Sequence, residues 1–315
     1  MVTSYKRLNG MCIALVAAAL GASPGALAAE PLKPFVLAET ADNGSVEEVA
    51  ERVSGALEDG GFKLVGEYPV SETAHVVVAT HGDLMAVAED NPRSAYLAPV
   101  RVAITEVNGE VQVSYNNLEY FSHAYRVEQD VSAVQDELKE AIGYEHTFGS
   151  EDGLSERELR RYRYMMGMER FDAPYELGSH ASSEAAMSVL EESLSSGESG
   201  VRKIYKLEIP EHDVTLYGIS VREGQGAPKD ASDVHKLNTV DVGEFRHTAY
   251  LPYEILVHDG TIEALHMRFR MAVHWPDLGM IGANSFMQLR RSPGVLEEVL
   301  QAVAGYEEEA DDFDW

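Results

Sequence analysis

The chain has 315 residues, with 53 acidic side chains against 25 basic ones and a formal charge of −28. A charge of that size repels nucleic acid and anionic lipid, so neither is an expected partner. The single cysteine, Cys12, excludes a disulfide framework, a paired-thiolate metal site and a covalently attached c-type haem.

Residues 1–28 read as a cleavable signal peptide. Lys6 and Arg7 form its positive start, Met11 to Leu20 its apolar core, and Ala26-Leu27-Ala28 the small-residue cleavage site. The core is too short to cross a bilayer stably, so no lasting membrane insertion is expected after cleavage. Cys12 stands at the start of the core, where a lipid-anchored cysteine would follow it. Cleavage removes two cations and no acid, leaving a mature chain with a charge of about −30 and no cysteine. The expected compartment is the periplasm. An excess of acids with few lysines suits a halophilic setting, where salt screens self-repulsion.

Two stretches of the remaining chain resemble each other segment by segment. "SVEEVAERVSGALEDG" (45–60) matches "SSEAAMSVLEESLSSG" (182–197) in apolar spacing. "AYLAPVRVAITEVNGEVQV" (95–113) is echoed by "AYLPYEILVHDGTIEAL" (249–265), and "VSAVQDELKEAIGYE" (131–145) by "PGVLEEVLQAVAGYE" (293–307). This order is read as an internal duplication. A first α+β repeat spans 29–147, a helical linker 148–178, a second repeat 179–306 and an acidic tail 307–315.

In chain order, a short strand near Phe35 to Ala38 precedes a helix over Val46 to Glu58, boxed by Ser45 and Glu48 and ended by Gly60-Gly61. Strands are predicted at Lys63–Tyr68, His75–Thr80, Val100–Val107 and Glu110–Tyr115, followed by a closing helix that starts at Ser132, boxed with Gln135, and stops at Gly143. In the linker, Ser155 and Glu158 box a helix from Glu156 to Met166, whose Arg160, Arg161 and Arg163 can pair with acids on either unit. The second repeat has strands at Arg202–Ile209, Thr215–Val221, Leu251–His258 and Ile262–Trp275, then a helix with Ser292 as cap and Pro293 first. The fold class is α+β: two tandem units of helix, four-stranded antiparallel sheet and helix, with the helices on one sheet face.

Register decides what the polar faces hold. Asn108-Gly109 is a strong two-residue hairpin turn that pairs Ile104 with Val113 and Val102 with Tyr115, leaving Arg101 on the opposite face. In the second repeat a three-residue loop, Asp259 to Thr261, is preferred, because a two-residue turn puts Tyr253 opposite His266 and mixes the faces. The stretch "LHMRFRMAVHW" (265–275) then alternates as a strand, with His266, Arg268, Arg270 and His274 on one side. These four, with Arg101, are the candidate ligand-binding residues. Arginine's planar fork binds carboxylate, phosphate or sulfate through two hydrogen bonds, and a protonated His266 would strengthen capture.

Metal chemistry has less support. On a straight strand His266 and His274 lie roughly 26 Å apart, too far to share an ion. His81, Met85 and His123 are the alternative soft-metal or haem ligands. No His-Glu-x-x-His pair or Gly-x-Ser-x-Gly elbow occurs, so neither a catalytic residue nor a cofactor is assigned.

At "AYLAPVRVAITEVNGEVQVSYNNLEYF" and its echo "HMRFRMAVHWPDL", the sequence resembles the bacterial family catalogued as domain of unknown function 302. The helix ending in Gly61-Phe62 and the proline-led strand fit the family pattern. "VSYNNLEY" has Asn117-Leu118 where the family has an Asn-Pro-like element. The resemblance covers about residues 44–145 and extends more weakly over 180–306. It implies a compact α+β unit, like half of the TATA-binding-protein saddle, with a tendency to pair, and no reaction. The expected function is therefore that of a periplasmic binding or accessory protein recognising a small anion or a protein partner through the polar sheet face. The alternatives are a metal- or haem-associated redox accessory protein and a self-assembling structural protein that forms homo-oligomers.

Overall fold

Apart from Met1, the computed structural model describes residues 30–41 and 44–306, so the expected signal peptide and the acidic tail lie outside the described residues. The chain enters on β1 (Phe35–Ala41) and turns into α1 (Val46–Asp59). There the Ser45 hydroxyl accepts the Glu48 amide and the Glu48 carboxylate accepts the Ser45 amide. Its buried stripe of Val46, Val49, Val53 and Leu57 lies against β3 (Ala74–Thr80), the partner of β2 (Lys63–Ser71), and against β4 (Val100–Val107). Between β3 and β4 stand a short helix, α2 (Gly82–Ala88), and a 3-10 turn, Pro92–Leu97. β5 (Glu110–Asn116) follows, then α3 (Leu118–Ala124), α4 (Ser132–Ile142) and β6 (His146–Phe148).

The connecting stretch contains α5 (Glu156–Arg160), capped by the predicted Ser155–Glu158 box but ending well before Met166. A second series follows in the same sequence. It runs β7 (Tyr175–Ser179), α6 (Ser183–Ser196), β8 (Val201–Ile209), β9 (Val214–Val221), α7 (Asp233–Val240) and a 3-10 turn, Thr248–Tyr250. It closes with β10 (Tyr253–His258), β11 (Thr261–Ala264), α8 (Met267–His274) and α9 (Ser292–Val303). Among the described residues no helix is long and apolar enough to cross a membrane.

The protein is α+β, with two antiparallel sheets of order β2-β3-β4-β5-β1-β6 and β7-β11-β10-β9-β8. The sheets have six and five strands rather than the expected four, because β1 and β7 each join the end of their meander and β6 adds to the far side of β1. Helices α1 and α4 cover the outer face of the first sheet, and α6 and α9 that of the second. The inner faces meet each other. Gly66 on β2 lies against Ile204 and Tyr205 of β8, and Arg101 on β4 reaches Glu254 on β10. β4 and β10 are therefore buried on both faces, so the polar faces do not form an open saddle.

The first hairpin has the predicted register, Ile104 opposite Val113 and Val102 opposite Tyr115. The second does not. Val257 pairs with Ile262 and His258 with Thr261 across a two-residue Asp259-Gly260 turn, whose φ angles of 47° and 75° suit a tight hairpin as those of Asn108 (56°) and Gly109 (91°) do. A strand buried on both sides imposes no one-face rule, which removes the objection to that turn. The predicted strand Ile262–Trp275 also breaks in two. It stops at Ala264, the His266 ring accepts the Arg268 amide at 3.1 Å, and Met267 to His274 wind into α8. Met, Arg and Ala favour a helix there, and nearly every side of it is buried, so alternation carried no strand signal.

Candidate functional site

Three of the five predicted binding residues meet between the sheets. Arg101 Nη1 lies 2.6 Å from Glu254 Oε1, and its Nε donates to Asn116 at 3.0 Å. Glu254 Oε1 also accepts the Tyr205 hydroxyl at 3.1 Å, while Oε2 accepts Arg270 Nη2 at 3.0 Å. The Tyr205 ring reaches this point over Gly218, where a Cβ would sit 2.0 Å from ring carbon Cε1. Arg270 also donates to the Pro252 carbonyl at 2.6 Å and lies 4.4 and 4.6 Å from the ring centres of Tyr250 and Tyr253.

His274 completes the cluster, with Nδ1 2.6 Å from the Arg270 carbonyl and Nε2 3.4 Å from Arg101 Nη2. Burial, then the two guanidinium groups, push its pKa well down, so the ring is neutral. A neutral ring fits both contacts: Nδ1–H donates to the carbonyl and Nε2 accepts from Arg101. Arg101, Glu254, Arg270 and His274 are at most 2% exposed. They tie the sheets together inside the molecule and do not form the open anion-binding face that strand alternation suggested.

The other two sit at the surface end of α8. His266 caps the helix, packs on the Tyr175 ring at 4.2 Å and lies 3.5 Å from Glu169. Arg268 points outward and pairs with the same carboxylate at 2.9 Å. Burial pulls the His266 pKa down to about 4, so its ring is uncharged near pH 6. The alternative metal ligands do not converge. His81 caps α2 and lies 3.3 Å from Glu137, Met85 is partly buried one turn on, and His123 on α3 lies 3.8 Å from Glu156.

The buried histidines give a pH prediction. His247, whose Nδ1 lies 2.9 Å from the His274 carbonyl, is pulled down to about 4 by burial. Between about pH 4 and 6.5 the unfolded chain holds protons on His247 and His266 that the folded chain does not, and His274 acts in the same sense. Stability therefore rises with pH across that window. Asp241, pushed up to about 7 by burial, opposes it, since the folded chain keeps a proton that the unfolded chain sheds above pH 3.8. Burial also lowers the His123 pKa and raises that of Glu297, so four histidines outweigh two carboxyls. Urea unfolding at pH 4.5 and 6.5 is expected to give the higher midpoint at 6.5, and a His247→Gln variant a smaller difference. A falling midpoint contradicts the assignment.

Two openings flank the connecting stretch. On one side a cleft of about 810 Å³ is lined by Arg157, Arg161, Arg163, Tyr162, Tyr164 and Asp277, among others. Arg160, expected to pair with acids, does so with Glu156 and Glu128 at 3.0 and 2.8 Å. Among the described residues Arg157, Arg161 and Arg163 have no carboxylate within 4.0 Å. The carboxylates at the cleft already have donors. Asp277 accepts the Ser150 hydroxyl and the Glu151 amide, and Glu158 the Ser155 hydroxyl and amide. Tyr162 and Tyr164 anchor the wall by donating to the Ala272 and Leu278 carbonyls at 2.9 and 2.6 Å. On the other side a smaller cavity of about 230 Å³ is lined largely by methionines, with Arg268 and Arg290 beside them. The arginine cluster is visible in the string "ELRRYRY"; Arg157, the tyrosines and the cavity were not foreseen.

Residues 38–143, from β1 to the end of α4, match the family model described as Domain of unknown function DUF302. No curated protein and no solved structure matches the chain.

Proposed function

We propose that this chain, DUF302-like over residues 38–143, is an exported binding protein that captures a small, multiply charged anion in the arginine cleft. The observation that carries the reading is the grouping of Arg157, Arg161 and Arg163, none with a carboxylate within 4.0 Å among the described residues, around one opening in a protein of charge −28. Guanidinium groups left open in so acidic a chain attract phosphate, sulfate or a dicarboxylate locally, although the surrounding field repels them. The sheet face first considered for this role is filled by its own ion cluster, which moves the anion reading to the cleft.

The same reading takes the two sheets as copies of one unit. Apart from β6, which has no counterpart, their strand orders correspond, and each copy has Ala-Tyr-Leu at the end of the 3-10 turn that precedes its central hairpin. Aligned on their prolines, Pro99 and Pro252, the two strands place Arg101 and Glu254 at equivalent positions. The contact between those residues supports the idea of a built-in pair.

Calorimetric titration of the mature protein with phosphate, sulfate and dicarboxylates at low salt tests the function. Binding is expected for at least one of them and should weaken as salt rises. Arg161→Ala with Arg163→Ala removes two charge-assisted bonds of about 1.5–3 kcal/mol each, roughly a hundredfold or more in affinity. Both positions are exposed, so the fold is kept. Absence of heat from every anion, or equal affinity in the double variant, sinks the reading.

A further inference from the structure

The second opening has a chemistry of its own. Of the chain's 11 methionines, six line this one cavity: Met165, Met168, Met267, Met271, Met280 and Met287. They come from three separate segments. Met165 and Met168 follow α5, Met267 and Met271 stand one turn apart on α8, and Met280 and Met287 lie on the loop between α8 and α9. Met267 and Met271 form a buried floor at 1% exposure each, whereas Met165 and Met287 are 45% exposed. Thioether side chains therefore run from the mouth of the cavity to its floor.

Packing alone gives no reason for this composition. Methionine is flexible and fills irregular gaps, yet these six leave about 230 Å³ unfilled. What they share is a neutral, polarizable sulfur that does not titrate. Hard cations such as calcium and magnesium seek oxygen, and zinc seeks thiolate, imidazole or carboxylate. Thioethers select copper(I). Among the described residues no group of three His, Cys, Asp or Glu side chains is gathered to hold a metal, so the methionine cluster is a separate kind of donor set. Of the two arginines beside the cavity, Arg268 is paired with Glu169 at 2.9 Å and Arg290 is exposed to solvent, which screens its charge, while the overall charge of −28 draws cations in.

We propose that the methionine-lined cavity is a thioether site for a soft monovalent cation, copper(I). It rests on different residues from the arginine cleft, and binding changes no oxidation state. The test is anaerobic titration of the mature protein with copper(I) against a chromogenic copper(I) chelator, with X-ray absorption to identify the ligand atoms. One copper(I) per chain with sulfur neighbours is expected, and silver(I) should shield Met267 and Met271 from peroxide oxidation. Met267→Leu with Met271→Leu keeps the volume and removes two sulfurs. Its affinity should fall at least as far as on loss of an outer-shell partner, roughly 10–100-fold. The Arg161→Ala/Arg163→Ala variant should bind copper(I) normally, which separates this site from the anion reading. Met165→Leu with Met287→Leu, at the exposed mouth, gives the same readout if the buried pair fails to fold. No copper(I) uptake against the chelator, nitrogen or oxygen neighbours only, or unchanged affinity in the folded leucine variants overturns the proposal.

Discussion

Glu254→Ala is expected to lower the stability of the protein by roughly 3–5 kcal/mol, because it strands two buried guanidinium groups without a counter-charge. Arg101 and Arg270 both donate to this carboxylate, and Tyr205 adds a third bond. All of it happens at 1–2% exposure, where water cannot replace what is removed. Burying charge is itself unfavourable, so the cluster is not a source of stability relative to an apolar interior. Changing Arg101, Glu254 and Arg270 together to methionine should therefore lose less than Glu254→Ala alone. Urea unfolding of the variants measures both. A Glu254→Ala protein within about 0.5 kcal/mol of the parent, as for an ordinary surface change, refutes this account of the interface.

Asp233→Ala is the second large effect, again roughly 3–5 kcal/mol. Asp233 opens α7 and is fully buried with Lys236, its carboxylate 3.0 Å from the ammonium. The other oxygen accepts the Tyr68 hydroxyl at 2.9 Å and the Val221 amide at 2.8 Å. One carboxylate thus ties β2 of the first sheet to the end of β9 in the second. Burial, then Asp233, raises the Tyr68 pKa, so the phenol keeps its proton and remains a donor. Adding Lys236→Met to Asp233→Ala should recover part of the loss, since no unpaired ammonium is left inside. Tyr68→Phe should lose only about 1.5–3 kcal/mol, the value of one hydrogen bond to a charged group. If the double variant is no more stable than Asp233→Ala, the ammonium is not what the carboxylate serves.

Local signals in the sequence reached far into this fold. The Ser45 and Ser155 capping boxes, the Asn108-Gly109 hairpin and the order of the long elements depend on neighbours a few residues apart and are present. Ser132 and Ser292, by contrast, fail as caps: no side-chain bond caps α4 or α9, and Gln135 accepts the Leu118 amide instead. The alternation of Met267, Phe269, Met271 and Val273 misled because eight residues buried on nearly every side satisfy helix and strand alike. Once that stretch coils, Arg268 faces out to Glu169 while Arg270 and His274, on the next turns, face in to Glu254 and Arg101. No pattern within one segment foretells a partner 153 residues away, which is the separation of Arg101 from Glu254. The methionine cavity was hidden for the same reason. Its segments "YMMGM", "HMRFRM" and "GMIGANSFM" are plain in the sequence, but only the packing of α8 against the connecting stretch brings them together.

The two internal ion clusters give this acidic chain an unusual response to ionic strength. Added electrolyte weakens the mutual repulsion of carboxylates on the outside, where mobile ions can gather. It cannot enter between β4 and β10, or between Asp233 and Lys236, and so leaves those attractions at full strength. Brine therefore relaxes what pushes the molecule apart and spares what clasps its two sheets.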